Sequence, residues 1–395
     1  MLLHACDSRQ DAYITSATVF LGVFGMDALR LGSINELESQ LAWPGRWEPW
    51  LGKHKPSADT IGYSLDRYDL AGLRLMLAYV GKAAKRKKVF RRLYSDSYWV
   101  AAVDGIETQK SRKRCCDRCC TRELKVGDEI IIEYYHREVV IQLVGVTPAL
   151  NLDVEPVLPG ETEVAAALRL LIRVRQTLPR FIDVLTMDAL YLQAPFVTQA
   201  LELGYGRVIV LKNEERDLYQ DADGLFQTTP SERIARADGQ VQLWDVDGLT
   251  SWPQLGRPVR VVRALEDTLV HERVARKWTY RQVIRDWRWA VIFPEGRKPP
   301  TELISLWGHA RWDEETRGFG ELTRYWHLNH CYRHHPNAIL ACRLILFLAF
   351  FLTTVFFDRN LKPALRQGKA RLHLALLLAD DLAKGGVKSF WAQPP

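Results

Sequence analysis

Three acidic residues stand where metal-assisted phosphate chemistry would need them. Asp104 closes an apolar run at 98–103, Asp188 closes a second at 181–187, and Glu315 falls on a helical stretch after residue 300. A carboxylate at the end of an apolar strand is costly to bury unless it is hydrogen-bonded or meets a cation. Two such strands side by side would bring their carboxylates together, and a divalent metal would relieve the repulsion. Mg2+ takes oxygen ligands, keeps several waters and is commonly held by one or two carboxylates beside substrate phosphates. Two such ions about 4 Å apart can activate a water or a 3′-hydroxyl and stabilise the leaving oxygen of an in-line displacement. Asp before Gly or Ala is also a common turn former, so spacing alone leaves a purely structural role open.

Other residues invite chemistry less strongly. The run C-C-D-R-C-C at 115–120 suggests zinc, but zinc needs four tetrahedral ligands and adjacent cysteines on one short loop do not all converge. Cys116 and Cys119 can supply two ligands and His136 a third. No second pair at ligand spacing lies nearby, so a loop of reduced thiols is expected. His309, His327, His330, His334 and His335 lie near Glu315 in sequence; His334-His335 before Pro336 reads as a helix-end motif rather than a catalytic one. Trp244, Trp252, Trp278, Trp287 and Trp289 crowd one region, and packing is the expected role of each. Glycine-rich phosphate loops and G-x-S-x-G elbows are absent, which removes support for nucleotide triphosphatase and serine hydrolase chemistry.

The elements that must position the acids emerge from hydrophobic periodicity. Residues 11–29, 33 onward, 57–68 and 69–93 read as helices, with S-I-N-E at 33–36 fitting a capping box. From residue 97 the pattern turns to strands, at 98–103, 129–146 and 150–158. A helix at 161–177 comes next, with Val164, Ala167, Leu168, Leu171 and Ile172 on its buried face. Then come a strand at 181–187, a helix at 194–203 and a strand at 207–212. This order predicts a mixed α/β sheet with helices on its faces. Residues 214–300 carry short strands (241–246, 259–264, 289–293) among Gly, Pro and charge clusters, and helical pattern resumes from 301.

Composition sets the outer limits. The 395 residues are 47% hydrophobic and 26% charged, which excludes a disordered tail, a fibrous rod and a disulfide-stapled miniprotein. A formal charge of +7 favours a polyanionic partner. Residues 1–97 hold 14 basic and 10 acidic side chains, and seven of the basic ones fall between Lys82 and Arg92. Seven cysteines, an odd number, point to a reducing compartment. Residues 1–9 are too short and polar for a secretory signal. The apolar stretch 344–357, bounded by Arg343 and Asp358, is expected as a buried helix because a membrane span needs about 20 residues.

Local sequence carries a resemblance. V-A-A-V-D-G at 100–105, E-Y-Y-H-R at 133–137, L-D-V-E-P-V-L-P-G-E at 152–161, D-A-L-Y at 188–191, R-W-D-E-E-T-R-G-F-G-E-L at 311–322 and H-H-P-N-A at 334–338 resemble bacterial insertion-sequence DDE transposases. The resemblance is to the group with a β insertion between the second Asp and the Glu. It implies a ribonuclease-H-like catalytic domain at 98–213 and 301–360, an insertion at 214–300, a helical DNA-end-binding region at 1–97 and a C-terminal tail helix at 361–395. Asp104, Asp188 and Glu315 match the catalytic, metal-binding triad for two Mg2+ or Mn2+ ions. Glu315 is preferred over Glu314 because the pattern sets Arg-Trp, two residues, then the acid. Arg311 would face a DNA phosphate from the same helix face. Arg324, Lys85, Arg86, Lys87, Lys88, Arg91, Arg92, Lys113 and Arg114 are the further DNA-binding candidates. Thr316, Leu322 and Gly308 depart from the family pattern. The implied activity is cleavage at inverted-repeat ends and strand transfer into target DNA, by a homodimer at the bacterial nucleoid, in the cytoplasm and without a membrane. The alternatives are an inactive DNA-binding derivative and a ribonuclease-H-like nuclease without strand transfer.

Overall fold

The computed structural model describes residues 4–384 apart from 43–46, 96, 213, 215, 237–238 and 275–276. The final part of the expected C-terminal segment, 385–395, therefore lies outside the described residues. At the N-terminal end lie five helices: α1 (Ser16–Leu29), α2 (Ile34–Leu41), α3 (Glu48–Leu51), α4 (Ala58–Leu65) and α5 (Leu70–Arg86). Four of them start on an oxygen that accepts an otherwise orphaned backbone N–H: Thr15, Ser33, Ser57 and Asp69. At the expected capping box, Ser33 Oγ accepts from the Glu36 N–H, and Glu36 reaches back to the Gly32 N–H.

The basic run does not extend α5 to residue 93 as the periodicity suggests. The helix ends at Arg86, Lys88 adopts a left-handed backbone, and Arg91–Arg92 pairs with Val146–Thr147 as a short strand. The chain leaves the helix there because Phe90 is drawn into the core, against Trp99 and Phe351.

Ten strands then make one mixed sheet. They are β1 (Val100–Ser111), β2 (Cys120–Val126), β3 (Glu129–Val144), β4 (Leu150–Pro156), β5 (Val184–Met187), β6 (Gly206–Val210), β7 (Glu232–Arg236), β8 (Gly239–Leu249), β9 (Val259–Val274) and β10 (Lys277–Ile292). The order across the sheet is β2-β3-β1-β5-β6-β10-β9-β8-β7, with β4 beside β2 on the outer edge of β3. Pairing is parallel for β1–β5 and β5–β6 and antiparallel elsewhere. The parallel strands are reached through α6 (Glu163–Thr177) and α7 (Ala194–Glu202), the crossover helices that parallel pairing requires. Strands β7 to β10 and the helix α8 (Asp217–Phe226) make up the insertion, and β10 joins its strands to β6 without a break in the sheet.

After the sheet come α9 (Thr301–Asp313), a π-helical turn at Glu314–Phe319, α10 (Gly320–Tyr325) and α11 (Pro336–Val355). The last of these is longer than the expected 344–357. Proline at its first turn fits the start of a helix, and the helix takes in Arg343 because Glu138 meets that charge at 2.9 Å inside the core. Pro336–Asn360 is long and apolar enough to cross a membrane, and 72% of its apolar window is buried within the fold. The helix packs against α1, α5 and β4. The D-V-E-P segment of β4 anchors the neighbouring helices: Asp153 and Glu155 pair with Arg74 of α5 and with Arg173 of α6.

Candidate active site

Asp104 and Asp188 are neighbours by sheet register. The parallel pairing of β1 with β5 ends at Val103 opposite Met187, and each Asp is the next residue. Beyond that point the two strands diverge. β5 stops, because the Asp188 carboxylate accepts the Ala189 N–H at 2.7 Å and starts a single helical turn. β1 does not stop at Asp104 as the sequence pattern suggests; it runs on to Ser111, held by its antiparallel partner β3.

The third acid arrives on α9 and its π-helical extension. Arg311, only 5% exposed, directs one nitrogen, Nη1, to both Asp104 Oδ2 (2.9 Å) and Glu315 Oε1 (2.7 Å). One guanidinium nitrogen therefore gathers two of the three expected acids, and Lys212, just past β6, reaches the third, Asp188, at 3.1 Å. In this arrangement Arg311 has its guanidinium engaged by carboxylates. Its side chain turns inward, since Glu315 lies one turn along the helix and the desolvated Asp104 lies beneath.

More acid surrounds the site than the sequence pattern indicates. Glu314 is fully buried and neither of its oxygens has a hydrogen-bond partner among the described residues. Glu163, at the start of α6, accepts from the buried Tyr191 hydroxyl at 2.7 Å and pairs with Arg137 at 2.6 Å. Its carboxylate fills the space a side chain at residue 105 would need, which is why Gly105 comes after Asp104. These additions escape sequence reading because Glu163 looks like an ordinary acid in a helix's first turn, and only the fold sets it behind Asp104.

Electrostatics divide the acids. Burial lifts Asp104 to about 6, with Glu163 and Glu315 adding to the effect while Arg311 and the Gly105 N–H oppose it. Burial also lifts Glu314 well above the usual range, with Asp104 next in importance, so this acid is held neutral. Asp188 goes the other way: burial would raise it, but the Ala189 N–H and Lys212 together hold it below the usual value.

The donor chemistry suits a hard divalent cation, since the groups able to ligate one, Asp104, Asp188 and Glu315, all offer carboxylate oxygens. The spacing is set by the resident cations. Among the described residues, the triad oxygens do not all lie within 4.8 Å of one another, and Arg311 holds the central position between two of them. A cation drawn to Asp104 and Glu315 would have to compete with that guanidinium.

The departures at Gly308 and Leu322 are built into the packing. A Cβ at Gly308 would run into the Trp289 indole, and Leu322 is fully buried, so neither an aromatic ring nor a cation fits there. Thr316 turns its hydroxyl to the Trp312 carbonyl at 2.7 Å, and Arg324 is exposed. Of the basic candidates, Arg86, Lys87, Lys88, Arg91, Lys113 and Arg114 are exposed. Lys85 and Arg92 are instead folded against the Trp99 ring, and Lys85 also donates to the Phe181 carbonyl. Lys113 and Arg114 lie beyond the end of β1, roughly 23 Å along the strand from Asp104.

Among the described residues no histidine pairs with Asp104, Asp188 or Glu315. His309 pairs with Glu266 at 2.8 Å, and His334 turns to Cys119 at 3.3 Å. Trp289 is core, as expected, whereas Trp278 is exposed on the β9–β10 hairpin and stacks with Tyr280 on either side of His271. No family model matches the chain, and no curated protein matches it.

Proposed function

We propose that the chain is a DDE-type transposase, a DNA-cleaving and strand-transferring enzyme of ribonuclease-H-like fold that acts on insertion-sequence ends in the bacterial cytoplasm. The observation that carries this reading is the placement of Asp104 and Asp188 at adjoining positions of a parallel strand pair, with Glu315 tied to Asp104 through Arg311. The succession β4-β3-β1-β5-β6, in which the first three strands are antiparallel and the last two are added in parallel through helices, supports the same fold.

Asp104, Asp188 and Glu315 would hold Mg2+ or Mn2+, which supplies activation of a water or 3′-hydroxyl and stabilisation of the leaving oxygen. The chain's own groups do the rest. Lys212 orients Asp188, and the Gly105 N–H orients Asp104. Arg311, once displaced from the carboxylates, is a guanidinium within a helical turn of Glu315 and suited to a bidentate phosphate contact. The exposed Arg86, Lys87, Lys88, Arg91, Lys113 and Arg114 give the sequence-independent attraction that DNA binding needs. A homodimer pairing two DNA ends belongs to the same proposal.

Asp188→Asn tests it. With DNA that carries the repeats flanking the gene, the variant should lose Mg2+-dependent cleavage at least a hundredfold while keeping end binding within about twofold. Cleavage by Asp188→Asn at the native rate would remove the assignment. A second reading, an inactive DNA-binding derivative, is favoured by Arg311 occupying the cation position; unchanged DNA after incubation of the native chain with Mg2+ or Mn2+ would select it.

A further inference from the structure

We propose that Cys116, Cys119, His136 and His334 form a structural zinc site that pins the β1–β2 connection and β3 to the segment leading into α11. Two of these residues lie in the loop between β1 and β2, His136 lies on β3, and His334 arrives from about 200 residues further along the chain. Their ligand atoms all fall within 4.8 Å of one another, and they are the only such group of His, Cys, Asp or Glu among the described residues.

Five of the six edges lie close to those of a tetrahedron, and the sixth, between Cys116 and His334, is within 4.8 Å. Cys116 Sγ to Cys119 Sγ is 3.7 Å, and His136 Nε2 to His334 Nε2 is 3.3 Å. The sulfur–nitrogen contacts are 3.5 Å (Cys116–His136), 3.4 Å (Cys119–His136) and 3.3 Å (Cys119–His334). Zn–S bonds of about 2.3 Å and Zn–N bonds of about 2.0 Å at tetrahedral angles require edges of roughly 3.8 Å for S–S, 3.5 Å for S–N and 3.3 Å for N–N. The S–S edge is the longest of the five, as zinc requires, and the N–N edge is among the shortest.

Hydrogen bonding alone accounts for the cluster poorly. A neutral imidazole carries one N–H, so two thiols and two Nε2 atoms offer at most four protons for five close contacts. One of those five contacts sets the two imidazole nitrogens face to face. Thiolate and imidazole ligands are also the set that selects zinc over Mg2+.

All four positions are filled by protein, which leaves no open coordination site and makes the role structural rather than catalytic. The other two cysteines of the run take no part. Cys115 is exposed, and the Cys120 thiol points to the Val157 carbonyl at 3.8 Å. They serve as internal controls. The site shares its strand pair with Asp104: His136 is opposite Thr108 on β1, four residues beyond Asp104 and roughly 13 Å away along the strand.

The full-length chain, purified without chelator and passed through a desalting column after Zn2+ loading, should carry one zinc per chain by elemental analysis. Replacement by Co2+ should give the visible bands of a tetrahedral ion and a near-ultraviolet thiolate-to-cobalt band. Cys119→Ser and His334→Gln should lose the bound equivalent, while Cys115→Ser and Cys120→Ser should keep it. If Cys119→Ser does not fold, the Co2+ spectrum of the native chain decides. Absence of bound zinc from the loaded native chain would overturn the proposal. So would an octahedral Co2+ spectrum, equal loss in Cys115→Ser, or a Cys116–Cys119 disulfide in the non-reduced protein as purified.

Discussion

Replacing Arg311 by Met separates a cation site from an ordinary salt bridge. The guanidinium nitrogen serves two acids of unequal burial: Asp104 is 19% exposed and Glu315 38%. Stranding a buried charge costs about 3–5 kcal/mol. Solvent screens the Glu315 half, so the loss should fall at or below the lower limit of that range, about 2–3 kcal/mol. In EDTA the variant should therefore unfold at clearly lower urea than the native chain, monitored by tryptophan fluorescence. Mg2+ should then recover stability, because the vacated position lies among carboxylates. At a hundred times its dissociation constant an ion bound only by the folded state contributes about 2.7 kcal/mol. The recovery should exceed that of the native chain, in which Mg2+ competes with Arg311, and NaCl at matched ionic strength should not reproduce it. Native-like unfolding of Arg311→Met in EDTA would refute this account of the site. So would an Mg2+ gain that persists unchanged after Asp104→Asn and Asp188→Asn are added.

Two further experiments probe buried ionisable groups, one beside the acidic site and one in the core. Glu314 is held protonated in the fold, whereas the unfolded chain releases that proton above the usual glutamate value of 4.5. Stability should therefore fall as pH rises past that value, by about 1.4 kcal/mol per pH unit until the folded group itself ionises. Glu314→Gln should remove this slope and gain on the native chain between pH 5 and 8; parallel stability curves for the two proteins would count against a neutral Glu314. In the core, Arg343 pairs with Glu138 and donates to the Leu328 carbonyl at 2.6 Å. Arg343→Met should cost about 3–5 kcal/mol, and adding Glu138→Met should restore most of it, since an apolar pair replaces a buried ionic one at little cost. A double variant no more stable than the single one in urea unfolding would show that the loss lies in helix packing instead.

Local pattern makes part of this fold legible. The strands at 129–146 and 150–158, the capping boundary at Ser33 and the helix at 194–203 emerge nearly where periodicity sets them, because each is decided by neighbours in the chain. β2 is not legible in that way: its alternation is masked by charge, and it is ordered by hairpin pairing with β3 rather than by its own apolar content. On α6, periodicity places Ile172 inside, yet it is exposed, whereas Leu170 and Val174 are buried; a one-residue error in phase rotates the predicted face by about 100°. The site shows the same division. Adjacent ends for Asp104 and Asp188 are readable from two apolar strands. The inward turn of Arg311, the neutral Glu314 behind it and the approach of His334 to the cysteine loop all depend on contacts between distant segments. No spacing rule reports such contacts.

The β9–β10 hairpin is rooted on β6 through Trp289–Ile292, and its register continues unbroken out to Val274 opposite Lys277. From Trp289 to Lys277 it measures about 40 Å, so a pivot of about 5° at its base moves the end by roughly 3.5 Å. Beyond Thr268 the arm loses its β8 neighbour and carries exposed Leu269, Trp278 and Tyr280. It is thus a lever with a sticky end. Whatever seizes that end applies torque to β6, the strand whose continuation holds Lys212 on Asp188, and so a grip taken far from the carboxylates is in mechanical series with them.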